Sequence, residues 1–187
     1  HSHLYTTGGD FDKSCKQFTC GNTNASNKMI GMYERHLHAI NLLHLDQNIL
    51  ATGSTKDKLI NIFNVTNGEH LHAFNNFRFK LTSLHVHHKQ NMLYIGGKDS
   101  RKTPLHMYKI KTGEKKKSLN LTEYLPCGSS NDNNKGGSIV KMTLFAPLNM
   151  LIVAINDNNK NNNSNSNNNL DDNSSEIENN HCILGID

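Results

Sequence analysis

The chain lacks most of the features that mark a disulfide-rich mini-protein or a membrane span. It has 187 residues, no tryptophan, three prolines and an aromatic content of 6%. Its cysteines (Cys15, Cys20, Cys127, Cys182) are too scattered for a disulfide framework, so reduced thiols and an intracellular setting, cytoplasm or nucleus, are expected. The longest apolar run, at residues 150–155, is far too short to span a bilayer.

Motifs for catalysis are also missing. The sequence contains no Gly-rich phosphate loop, no nucleophile elbow and no paired catalytic carboxylates. His85 and His87 are two residues apart, so on a strand they would share one face, as two metal ligands would. However, no cysteine lies near them in sequence, and polar residues are also expected on a solvated face. We therefore predict no enzymatic activity, no cofactor and no metal for this segment.

What the chain does contain is self-similarity. Residues 49–74 read ILATGSTKDKLINIFNVTNGEHLHAF, which indicates three short strands joined by two turns. Residues 92–119 repeat this phrase, and Gly113 follows Gly68 of the first hairpin by 45 residues. The same spacing separates three aromatic residues, Phe18, Phe63 and Tyr108. The chain is therefore built from repeats.

Each repeat is preceded by one further apolar strand, at Ile40, Leu43 and Leu45 and again at Leu81, Leu84 and Val86. A period of about 40–45 residues with four strands is typical of propeller blades. The sequence thus predicts an all-β fold, a partial β-propeller of four-stranded antiparallel blades with a roughly 45-residue repeat. The blades are expected at residues 1–35 in part, 36–76, 77–121 and 138–187 in part.

The repeats resemble a known family. An apolar-Thr-Gly-Ser phrase, then Asp57, Ile60 and Ile62, and then Phe63-Asn64 before a Gly hairpin, is similar to WD-repeat β-propellers. Phe63-Asn64 holds the Trp-Asp place, and the repeats are degenerate because the chain has no tryptophan. The resemblance implies a hydrogen-bonded network of a loop histidine, a second-strand hydroxyl and a turn aspartate. Its members here would be His36, Thr52 (or Ser54) and Asp57.

The network is expected in the second module but not in the third. His36 stands four residues before Ile40, whereas Phe77 holds the corresponding place before Leu81. The repeat that begins with Phe77 should therefore lack the network, although Asp99 remains at its turn.

Two polar stretches interrupt the pattern. Residues 128–137, GSSNDNNKGG, form a predicted flexible insertion between the third and fourth modules. Residues 156–180 are an Asn- and Ser-rich tract with almost no apolar side chains. Such a tract buries too little surface to offset its ordering entropy. We predict a disordered loop there, joining two antiparallel strands at residues 150–155 and 182–187.

The resemblance implies a rigid, non-catalytic scaffold that mediates protein–protein interactions in a macromolecular assembly. Three and a half modules do not close a propeller, so a longer parent chain is expected to supply the remaining blades. Strand order sorts the connections onto two faces, and the longer ones share a face. The candidate partner-binding residues on it are Phe77, Arg78, Phe79, Arg101 and Lys102, of the types that carry interface energy. Either phenylalanine has an alternative role, which is to fill the seam between blades.

Two rival functions stay open. Lysines are dense at residues 98–117, and such a surface attracts RNA or phospholipid head groups. The same lysines have a structural use, because charge on an outer strand blocks unwanted edge pairing. The second rival is a propeller domain attached to a catalytic domain outside this sequence.

Overall fold

The computed structural model describes residues 2–20, 27–100, 102–124, 137–145, 150–156 and 181–186. Throughout these residues the strands are antiparallel. The helical structure described is a 3-10 turn at Leu121–Tyr124, and no helix of this part is long and apolar enough to cross a membrane. The prediction of an all-β, antiparallel chain is confirmed.

The first seven strands form two separate sheets. The first sheet has the order β1-β2-β3 and the second the order β4-β5-β6-β7. Each strand pairs with its neighbour in the chain, so both sheets are meanders. The strands are β1 Ser2–Thr7, β2 Cys15–Cys20, β3 Lys28–Tyr33, β4 Leu42–Asp46, β5 Ile49–Ser54, β6 Leu59–Asn64 and β7 His70–Phe74.

The remaining strands form a further sheet made of two meanders. The first contains β8 to β11 and the second β12 to β14. They are joined by a single residue pair, Ser138 with Lys98. The strands are β8 Lys80–His87, β9 Met92–Lys98, β10 Pro104–Lys109, β11 Lys115–Asn120, β12 Ser138–Phe145, β13 Met150–Asn156 and β14 His181–Ile186.

The 45-residue period is visible in the backbone as well as in the sequence. In each of the first three modules the register between the last two strands shifts at the same place, opposite Gln17 and Phe18, Ile62 and Phe63, and Met107 and Tyr108. The extra residue of this β-bulge lies on the last strand, at Ile30, Leu71 and Lys116. The hairpin glycines that follow also agree, since Gly68 and Gly113 have φ of 73° and 67°. A side chain is disfavoured at such φ values, so glycine is required at both turns.

The modules pack through their first strands. Strand β8 lies between β4 and β12. The β4–β8 seam is held by side chains: Val86 N donates to His44 Nδ1 at 3.1 Å and His88 N donates to Asp46 Oδ2 at 2.7 Å. Buried aliphatic and aromatic residues of β5 to β9 form the core between these sheets. Cys15 is fully buried in a separate cluster, with Tyr33, Ile40, Leu50 and Phe63.

Several predictions fall on residues outside the described part of the chain. These are the insertion at residues 128–137 except Gly137, the tract at 156–180 except Asn156, and the candidate Arg101. The strands that flank the tract are described. Strands β13 and β14 pair directly, with Asn156 opposite His181.

Candidate functional site

A buried polar network lies at the entrance to the second module. His36 Nε2 is 3.0 Å from Thr52 Oγ1, and Nδ1 of the same ring is 3.4 Å from Asp57 Oδ2. Asp57 Oδ2 also accepts hydrogen bonds from Leu37 N at 2.9 Å and His38 N at 3.2 Å. The structure thus brings His36, Thr52 and Asp57 together, and the carboxylate fixes the loop that precedes β4.

Asn61, which sequence reasoning missed, determines the tautomer of His36. Its Nδ2 lies 3.2 Å from His36 Nε2 and can only donate, so Nε2 accepts and the ring proton is on Nδ1, facing Asp57. Burial lowers the pKa of His36 and outweighs the opposing attraction of the Asp57 carboxylate. The lowered pKa favours the neutral ring at pH 7, and the network holds the loop that precedes β4 in place.

The equivalent entrance to the third module is aromatic. Phe77 and Phe79 are 4% and 6% exposed, with ring centroids 5.5 Å apart. The Phe79 ring lies over Gly97, where a Cβ atom would come within 2.0 Å of it. Neither phenylalanine is exposed, and both have the alternative role of filling the space between modules. Both rings fill the space between the second and third sheets, because only there is their apolar surface removed from water.

A cleft of about 460 Å³ opens beside these rings. One wall is the segment between β7 and β8, and the other is formed by the outer strands β10 and β11. Its principal lining residues are Phe77, Arg78, Asp99, Lys102, His106 and Lys115. The structure therefore gathers four of the five predicted partner-binding residues, Phe77, Arg78, Phe79 and Lys102, in one place. Phe77 and Phe79 form the aromatic floor of the cleft, and Arg78 and Lys102 are exposed cations at its rim.

The repeated β-bulge adds a further cation to the cleft. Along β10, His106 and Tyr108 are two residues apart and line the cleft. Their partners on β11 are Ser118 and Lys115, which are three residues apart because the register shifts between them. The bulge thus returns Lys115 to the same face as Ser118, where a regular strand would place it on the opposite face.

The cleft carries an excess of positive charge. Arg78, Lys102 and Lys115 face a single carboxylate, that of Asp99. That carboxylate accepts hydrogen bonds from its neighbour Ser100. Within the described residues none of the three cations forms an ion pair. The cations are therefore available to an anionic partner.

The floor of the cleft is aromatic and neutral. The rings of Phe79 and His106 meet edge to face at 4.8 Å. Burial, with a smaller contribution from Lys115, lowers the pKa of His106 to about 4. Its Nδ1 is buried without a hydrogen-bond partner among the described residues. The floor of the cleft is therefore uncharged at neutral pH, and the charge of the site is that of its rim.

Besides the cleft, the candidate features are potential metal ligands and the remaining buried histidines. No group of three potential metal ligands occurs among the residues that the structure describes. The buried His85 has Nδ1 without a partner, and the buried His87 has neither ring nitrogen bonded within the described part. No family model matches the chain, and no curated protein is significantly similar to it in sequence.

Proposed function

We propose that this chain is part of a WD-repeat-like propeller scaffold that binds protein partners at the cleft beside Phe77. The proposal has two parts, an architecture and a binding surface. The observation that carries the binding surface is the convergence of Arg78, Lys102 and Lys115, all without ion pairs in the described residues, on one aromatic-floored cleft. Arginine and aromatic groups in such a setting are typical of interface anchors.

The propeller architecture is supported by the repetition of local features. Each module is a meander, and the first three have a β-bulge at the same position of the last strand. Successive first strands, β4, β8 and β12, pack side by side, while the later strands of each module lie farther out. This is the arrangement expected when blades surround a common axis. The missing blades would come from the rest of a longer chain.

The test of the binding surface uses the full-length protein. Arg78→Glu with Lys102→Glu reverses two rim charges without disturbing a buried side chain, since both are exposed. Partners recovered by quantitative affinity purification should be lost from this double variant. The matched control is Lys89→Glu with Lys56→Glu, which reverses two exposed lysines outside the cleft. If the control releases the partners and the cleft variant retains them, the proposed surface is wrong.

Recognition of RNA or phospholipid is less well supported. Lys115 and Lys117 point to opposite faces of β11, and Lys116 pairs with Glu114 at 2.7 Å. The lysine-rich strand therefore does not present one continuous basic stripe. Measuring affinity at a series of salt concentrations separates a protein partner from RNA or phospholipid. For phosphate-rich partners the logarithm of the binding constant falls steeply and linearly with the logarithm of the salt concentration.

A further inference from the structure

The outer edge of β11 is open beside the cleft. Strand β11 stands at the end of its sheet and, in the part of the chain that the structure describes, pairs with β10 alone. Leu121 N donates to Thr103 O at 2.8 Å, so by alternation Leu119 also faces β10. Ser118 and Asn120 then direct their backbone N–H and C=O groups outward. These groups are a template for one more strand.

The side chains of the edge set the charge that such a strand should have. On the cleft face of β11 stands Lys115, and Arg78 and Lys102 lie at the rim of the same cleft. A lysine edge repels basic strands and accepts acidic ones, so it selects partners as well as blocking unwanted pairing. The positive charge of this edge therefore favours an acidic strand, which an uncharged polar edge would not.

We infer that the cleft binds an acidic segment of a partner protein in extended conformation, added as a fifth strand along β11. This inference rests on the proposed function and names the partner's chemistry. Residues i and i+2 of an added strand share one face, and neighbouring strands are about 4.8 Å apart. Acidic side chains at alternate positions therefore meet Lys115 and the two rim cations together, while the other positions face away from the cleft.

The experiment measures binding of synthetic peptides to the full-length protein by fluorescence anisotropy. The first probe is a nine-residue peptide with glutamate at alternate positions. The second has the same composition with its glutamates clustered, and the third is the first peptide N-methylated at alternate amides. Inorganic polyphosphate is the fourth. The alternating peptide should bind, and clustering or N-methylation should each weaken its binding by about tenfold or more.

Two substitutions on one strand provide a matched pair of variants. Lys115→Glu should weaken binding of the alternating peptide by about tenfold or more, because it places like charges in contact. Lys117→Glu changes an exposed lysine on the opposite face of β11 and should change affinity by less than about twofold. Both positions are exposed, so circular dichroism of the two variants should match that of the parent protein.

Three results would overturn the inference. The first is absence of binding by the alternating peptide up to millimolar concentration. The second is binding of the clustered and N-methylated peptides with the same affinity as the alternating peptide. The third is tighter binding of polyphosphate that depends on Lys115 to the same extent. Either of these two results indicates a general anion site without strand addition. If the Arg78 and Lys102 double variant still releases partners, the cleft remains a partner site and strand addition alone fails. If it releases none, the proposed function fails as well.

Discussion

His36 and Phe77 occupy equivalent positions in successive modules, each four residues before a buried aliphatic residue: Ile40, just ahead of β4, and Leu81, within β8. His36 contacts Thr52 and Asp57 in a buried polar network. Phe77 instead packs near His106 and Tyr108, with centroid distances of 6.4 Å to each. The second module thus has a polar residue at this position and a buried polar network at its entrance. The third has an aromatic residue there, and its entrance borders the cleft.

The His36 network should contribute measurably to stability. Asp57→Ala removes the acceptor for Leu37 N and His38 N, and His36→Ala removes the ring that faces it. Each variant should lose about 1.5–3 kcal/mol in the free energy of unfolding, because a buried charged acceptor is lost or left unpaired. Urea denaturation followed by circular dichroism measures the loss.

The control for this prediction is Asp99→Ala. Asp99 stands at the corresponding turn of the third module, but its carboxylate bonds only its neighbour Ser100 among the described residues. Its removal should cost no more than about 0.5 kcal/mol. An equal loss at Asp57 and Asp99 would show that the network adds nothing beyond local turn bonding.

Stability should fall with acidity through the buried histidines of the β4–β8 seam. Burial first, and then nearby His44 and His87, lower the pKa of His85 to about 4. The unfolded chain, with a histidine pKa of about 6.5, therefore binds a proton that the folded chain excludes between about pH 6.5 and pH 4. The free energy of unfolding is retained above that window and declines as the pH falls through it.

The pH prediction is checked by the slope of the unfolding free energy against pH rather than by the free energy at any one pH. His85→Gln removes the group, so the decline of the unfolding free energy between about pH 6.5 and pH 4 should become shallower by up to about 1.4 kcal/mol per pH unit. A slope that is the same in this variant and in the parent protein contradicts the assignment to His85.

A close approach between modules should make Gly96 intolerant of any side chain. A Cβ atom at this position would lie 2.7 Å from Cγ2 of Ile139. Gly96→Ala should therefore destabilise by about 1–3 kcal/mol through overpacking. The double variant with Ile139→Ala should lose less than the sum of the two single losses.

Gly9→Ala is the matched control for Gly96, because a Cβ atom at Gly9 would have no neighbour within 4 Å. Thermal denaturation compares the parent protein with four variants: Gly96→Ala, Ile139→Ala, the double variant and Gly9→Ala. Equal effects at Gly9 and Gly96 would indicate that the loss at Gly96 is one of backbone conformation and not of contact with Ile139.

Deleting residues 158–179 should leave thermal stability nearly unchanged. The deletion joins Asp157 to Asn180, and the flanking residues Asn156 and His181 already face each other across β13 and β14. Loop-closure entropy changes only logarithmically with length. The midpoint temperature should shift by no more than about 4 °C, the equivalent of about 1 kcal/mol. A larger fall, or amides within the tract that resist hydrogen exchange, contradicts the prediction of a disordered loop.

The strands were largely predictable because short-range signals determine them. Alternation of apolar residues and the hairpin glycines located β6 and β10. The cleft was only partly predictable. Arg78 and Lys102 followed from loop position, whereas Lys115 reaches the cleft through a bulge that residue identity does not encode locally. The burial of Phe77 and Phe79 depends on long-range packing over Gly97, which no local pattern reveals.

The bonds from Val86 N to His44 and from His88 N to Asp46 have a consequence for folding fidelity. Chains with similar consecutive repeats risk pairing a strand with the wrong copy, since neighbouring modules offer nearly the same edge. The two side chains occupy donors on the outward edge of β8 that a misplaced strand would need. His44 and Asp46 therefore mark the boundary between the two modules, because a strand from the wrong module cannot pair with the donors that they occupy.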